Sequence, residues 1–185
     1  TMYLPKMEAA GNFLFLIRPR RFGKSLFLSM MRYYYDINEK DNFDSLFTGL
    51  WIEKNPTPLM GTFQVLYLDF SQVGGDMNNL FDRFNSRTGA VLDDFAYRYE
   101  RFYYDGFAAD VEKKSDFRSK LDHITLQARR RGLHLYLIVD EYDNFTNTVL
   151  NVAGEEVYHA MTHAEGFYRD VFKLFKPNFD RILMM

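Results

Sequence analysis

Four short apolar runs mark the chain, at residues 12–17 (NFLFLI), 64–70 (QVLYLDF), 133–139 (LHLYLIV) and 181–185 (RILMM). Each is too short for a buried helix of ordinary length and rich in large or β-branched residues, which predicts buried strands. Between them lie longer stretches that can be helical. Residues 25–35 lack glycine and proline and follow directly on a glycine-containing turn. Residues 77–104 read as broadly helical, broken or bent near Gly89, residues 115–131 as a helix closed by Gly132, and residues 155–176 as a helix stopped by Pro177. The paired prolines Pro56 and Pro58 mark an irregular connection, and SQVGGD, DGFAAD and residues 144–154 read as turns or loops. Strands alternating with helices predict an α/β fold with a mainly parallel central sheet covered on both faces. The run at 133–139 is the most continuous, as a central strand requires.

Length and composition narrow this picture. At 185 residues the chain suffices for one domain with a sizeable core, and aromatics at 18% supply much of the filling. A net charge of −2 provides no field for nucleic acid or an acidic membrane, so basic chemistry must be local, as in Arg18/Arg20/Arg21 and Arg129-Arg130-Arg131. The absence of cysteine excludes disulfides and thiolate chemistry. No apolar run approaches a membrane span and no leader pattern opens the chain, so a cytoplasmic protein is expected. Thr1 at the start and an apolar strand at the very end suggest a fragment of a longer polypeptide.

Chemistry concentrates at two strand ends. After the first strand comes IRPRRFGKSL, residues 17–26. Its Gly23-Lys24-Ser25 matches the close of a G-x-x-x-x-G-K-[ST] phosphate loop, although Arg18 stands where the first glycine belongs. The residue before a proline is pushed to extended geometry, so Arg18-Pro19 can leave the strand without positive φ. A loop spanning Arg18, Pro19, Arg20, Arg21, Phe22, Gly23, Lys24, Ser25 and Leu26 and opening a helix would surround phosphate oxygens with its successive backbone N–H groups. Lys24 would reach the outer phosphates and Ser25 would ligate Mg²⁺. After the third strand comes LYLIVDEYD, which delivers Asp140 and Glu141 to its carboxyl end, where ligands of such sheets bind. Asp140 would hold Mg²⁺ and Glu141 would act as general base on the attacking water. An ordinary helix start and a surface or capping acidic pair are the plainer readings of the same residues. An adjacent catalytic glutamate, with a further strand after it, favours ATP hydrolysis over GTP switching or phosphoryl transfer to a small acceptor.

FLIRPRRFGKSLFLSMMRYYYD, VLYLDFS, LIVDEYDNFTNTVLN and HAEGFYRDVFKLFK together resemble the bacterial AAA-ATPase-like family. The resemblance runs through nearly the whole chain. It implies a P-loop NTPase three-layer sandwich with the strand order of the AAA-like ATPases (the ASCE branch), bound ATP or ADP with Mg²⁺, and homo-oligomers as one arrangement. It also implies, in many members, a C-terminal region resembling PD-(D/E)XK nucleases. By motif match, Gly23, Lys24 and Ser25 carry over as nucleotide-binding residues, Asp140 as the Mg²⁺ aspartate and Glu141 as the catalytic glutamate. A polar sensor residue, a lid and an arginine finger would follow beyond Met185. The expected function is Mg²⁺-dependent ATP binding and hydrolysis coupled to an attached effector. The alternatives are a nucleotide-sensing module without hydrolysis and the ATPase part of a nuclease-linked DNA-processing protein.

Other features have structural readings at least as good as functional ones. Arg129-Arg130-Arg131 closes a helix, where positive charge suits the dipole, although an arginine finger has the same composition. His159 and His163 share a helix face but lack a third metal ligand. Asp69 and Ser71 follow the second strand and either line the site edge or make a turn. Tyr33-Tyr34-Tyr35 reads as packing.

Overall fold

The computed structural model describes residues 1–17, 22–71, 80–142 and 167–185. Their centre is a four-stranded, all-parallel sheet of β1 (Phe13–Phe15), β2 (Phe63–Asp69), β3 (His134–Asp140) and β4 (Arg181–Met184), in spatial order β1-β4-β3-β2. The strands expected from the apolar runs are all present, with ends shifted by one or two residues. β3 and β4 are central. β4 is buried throughout and β3 at every position but His134, whereas β1 is an edge strand with Phe13 and Phe15 exposed.

Side-chain alternation divides the core in two, as the period of a strand demands. Leu66, Leu68, Leu135, Leu137, Val139 and Ile182 face one layer, made by α4 (Leu80–Tyr99), α5 (Phe107–Glu112), α6 (Phe117–Arg130) and α7 (Phe167–Asn178). Val65, Tyr136, Ile138 and Leu183 face the other, where α1 (Leu4–Ala10), α2 (Lys24–Tyr35) and α3 (Phe43–Phe47) lie. The chain is thus α/β with helices on both faces of a parallel sheet. Among the described residues, no helix is long and apolar enough to cross a membrane.

Three local expectations change. α4 continues through Gly89 without a break. Glycine in a helix interior costs about 1 kcal/mol relative to alanine, and α4 offsets this by burying Phe84, Leu92, Phe95, Ala96 and Tyr99. DGFAAD turns only at Asp105-Gly106 and then enters α5, because Phe107, Ala108 and Val111 bury one face. Pro177 lies inside the last turn of α7, so that helix ends one residue beyond it. The start of the helix expected over residues 155–176 and the loop at 144–154 lie outside the described residues.

Candidate functional site

α2 begins at Lys24, capped by Gly23 in the left-handed conformation at φ 69°. Among the described residues, a Cβ at Gly23 would meet nothing within 4 Å. The first N–H groups of a helix have no intrahelical partner and carry a partial positive charge. α2 has no side-chain cap and no acidic residue in its first turn to neutralise them. Ser25 and Leu26 follow on the exposed side of that turn.

β3 ends with Asp140, buried, and Glu141, at φ 53°. That left-handed residue turns the chain sharply at the strand end. The Glu141 N–H donates to Asp140 Oδ1 at 2.8 Å. The helix start and the strand end meet at Lys24, whose Nζ lies 2.8 Å from Asp140 Oδ1 and 2.7 Å from Glu141 Oε1. The two motifs are 117 positions apart in sequence yet share one ammonium group. Partial burial works to lower the Lys24 pKa, but the hydrogen bonds and charges of Asp140 and Glu141 outweigh it and hold the pKa above the ordinary lysine value. Lys24 is therefore a cation throughout the neutral range.

Two further side chains join the cluster that sequence spacing did not single out. Tyr67, in the middle of β2, donates its hydroxyl to Asp140 Oδ2 at 2.8 Å. Burial, followed by the Asp140 hydrogen bond and charge, raises its pKa, so the phenol remains a neutral donor. Arg32 of α2 places its guanidinium 4.6 Å from the centre of the Tyr67 ring, within cation–π range. The only signal for either is register. Tyr67 pairs with Ile138 and Asp69 with Asp140, so Tyr67 stands on the same sheet face as Asp140, one diagonal step away.

A groove of about 640 Å³ adjoins the helix start, lined among others by Phe22, Gly23, Leu26, Met30, Tyr33 and Leu50. Its walls are mainly apolar, and Phe22 and Leu26 are 66% and 77% exposed. Arg18, Pro19, Arg20 and Arg21 lie outside the described residues, as do His159 and His163.

The remaining sequence candidates stay out of the cluster. Asp69 Oδ1 accepts the Ser71 N–H at 2.8 Å, a turn-forming bond. Arg129 donates to the Pro177 carbonyl at 3.3 Å, and Arg131 donates to Gln127 and covers the rings of Tyr103 and Tyr104. These contacts fit the helix-end reading of the arginine run. Tyr34 and Tyr35 are core residues, while Tyr33 is exposed at the groove.

No curated protein and no solved structure gives a significant match to the chain. A family model described as "Predicted AAA-ATPase" does, and it spans residues 1–185. With a lysine from a helix start set against two carboxylates from a central strand end, and that match covering its whole length, the chain belongs to the predicted AAA-ATPase family.

Proposed function

We propose that the chain binds ATP together with Mg²⁺ where α2 begins and β3 ends, hydrolyses it, and passes the change of nucleotide state to an attached effector. The observation that carries this reading is the convergence of Lys24, Asp140 and Glu141 within 2.7–2.8 Å. The placement of β4 between β1 and β3 supports the AAA-like branch, in which the strand that ends in the acidic pair is not a neighbour of the strand before the loop.

The residues present fit such a ligand. Gly23, unable to obstruct with a side chain, lets phosphate oxygens approach the first N–H groups of a 12-residue helix. Lys24 moves from the two carboxylates to the outer phosphate oxygens and neutralises charge there. That exchange frees Glu141 Oε1 to take a proton from the attacking water. Asp140 and the Ser25 hydroxyl would hold the cation. Among the described residues no three or more His, Cys, Asp or Glu side chains converge, and Mg²⁺ needs no such cage when one or two carboxylates and the substrate phosphates supply its oxygens. When bound, Mg²⁺ neutralises phosphate charge as a Lewis acid. The apolar groove beginning at Phe22 and Gly23 offers the nucleotide's base a dry surface.

Titration of a fluorescent ATP analogue and steady-state phosphate release test the assignment. Lys24→Ala should weaken binding by about a hundredfold or more. Glu141→Gln should keep binding and abolish phosphate release. Binding unchanged in Lys24→Ala would place the nucleotide elsewhere and sink the site.

A further inference from the structure

The hydrogen bonds of Asp140 point to a role for a residue on the neighbouring strand. Oδ1 receives the Glu141 N–H and lies against Lys24 Nζ, both at 2.8 Å. Oδ2 receives the Tyr67 hydroxyl, also at 2.8 Å. An ionised carboxylate offers about four lone-pair directions. Three donors occupy three of them, and once Lys24 moves to the phosphates the Glu141 N–H on Oδ1 and the Tyr67 hydroxyl on Oδ2 remain to hold the group. A carboxylate held on one oxygen can still rotate about its Cβ–Cγ bond; held on both, it cannot. Tyr67 therefore supplies the hold on Oδ2 that fixes the plane of the carboxylate.

Tyr67 is itself held. Its ring is half-buried against the α2-side core, and the Arg32 guanidinium covers it at 4.6 Å. Arg32 and Lys24 both belong to α2, eight positions apart. One helix thus supplies the lysine that pairs with Oδ1 and the arginine that braces the donor to Oδ2.

We propose that Tyr67 is a positioning residue for the cation site: with the Glu141 N–H on Oδ1, its hydroxyl on Oδ2 holds the Asp140 carboxylate in one orientation for the divalent cation of the bound nucleotide, with Arg32 as its brace. This rests on the reading of Asp140 as a Mg²⁺ ligand. Partners of this kind, one step removed from a metal, typically change metal affinity by about 10–100-fold when lost.

Tyr67→Phe keeps the ring, its packing and the Arg32 contact, and removes one hydrogen bond. Binding of the fluorescent ATP analogue to the full chain is measured against Mg²⁺ concentration and again in EDTA. The Mg²⁺ concentration at half-maximal binding should rise about tenfold in Tyr67→Phe, while the metal-free affinity stays at the wild-type value. A tyrosine with a purely structural role would lower the unfolding midpoint and leave the Mg²⁺ titration where it was. Wild-type Mg²⁺ dependence in Tyr67→Phe, to within about twofold, overturns the inference alone. Wild-type protein that binds the analogue equally well with and without Mg²⁺ overturns the cation site beneath it as well. If Tyr67→Phe fails to fold, Arg32→Gln carries the test: it should shift the Mg²⁺ midpoint in the same direction by about threefold, and an unmoved midpoint overturns the brace and the positioning role together.

Discussion

Glu141 leaves β3 with φ at 53°, the one non-glycine residue in the left-handed region among those described. For an L-residue this conformation costs about 1–2 kcal/mol, least for Asn and Asp and most for β-branched side chains. The local compensation is visible: the Glu141 N–H reaches Asp140 Oδ1 and its carboxylate returns to Lys24. Strain held at one residue beside a charged cluster is a common mark of a working site. If the backbone is the source of the cost, side chains should rank by their tolerance of positive φ rather than by charge. Glu141→Asn should unfold in urea close to wild type, whereas Glu141→Val should be less stable than Glu141→Asn by about 1–2 kcal/mol. Equal stability of the two variants would show that the turn relaxes and holds no strain.

At the scale of elements, two glycines show how one backbone conformation serves different ends. Gly23 and Gly61 have nearly equal φ, 69° and 61°. Around Gly23 an added Cβ meets nothing among the described residues, whereas at Gly61 it would come 2.8 Å from Lys40 Cβ and 3.2 Å from Lys40 Cα. Gly61 also donates its N–H to the Tyr34 carbonyl at 2.9 Å, so it cannot back away from that contact. Gly61→Ala should therefore cost about 2–4 kcal/mol, strain and crowding combined. Gly23→Ala should cost only the strain, about 1–2 kcal/mol, yet abolish binding of the ATP analogue by standing where phosphate must approach. Thermal unfolding and titration of both variants separate a glycine needed for folding from one needed for its ligand. Loss of stability in Gly23→Ala as large as in Gly61→Ala would remove that distinction. The same contrast explains what was legible in the sequence. Apolar runs such as residues 133–139 announce strands because burial on both faces leaves no room for polar residues. Gly23-Lys24-Ser25 and Asp140-Glu141 stood out as candidates because each group is contiguous in the chain. α5 was not legible, since six residues with three buried ones carry too little pattern, and a glycine at 89 looked like a break because sequence does not show what α4 buries. Tyr67 and Arg32 were invisible for a different reason: their meaning depends on the register of β2 with β3 and on which face α2 covers.

For the molecule as a whole, the two ends of the parallel sheet divide the labour. The carboxyl ends of the strands carry Asp140 and Glu141, whereas the start of β4 carries Arg181, buried and 7% exposed. Arg181 Nη2 donates to the carbonyls of Glu8 and Gly11 at 2.9 and 3.0 Å and to Asn12 Oδ1 at 3.1 Å, so the last strand satisfies the close of the first helix. The Glu8 carboxylate in turn accepts from Tyr35 at the end of α2 and from Thr57 before β2, at 2.9 and 2.7 Å. Residues from both ends of the sequence thus meet at the amino edge of the sheet in one polar node. Arg181→Met would keep most of the aliphatic stem and strip the donors from several partly buried oxygens, each worth about 1–3 kcal/mol if left unpaired. Some would regain water, so a loss near 3 kcal/mol in urea unfolding is expected. The proposed nucleotide site lies at the opposite edge, beyond the carboxyl ends of β3 and β4, and distant sites act independently. Under conditions where Arg181→Met is folded, its affinity for the ATP analogue should therefore match wild type. A collapse of affinity in folded Arg181→Met would mean that the two edges are coupled through β4, and the division between a stabilising edge and a chemical one would not hold.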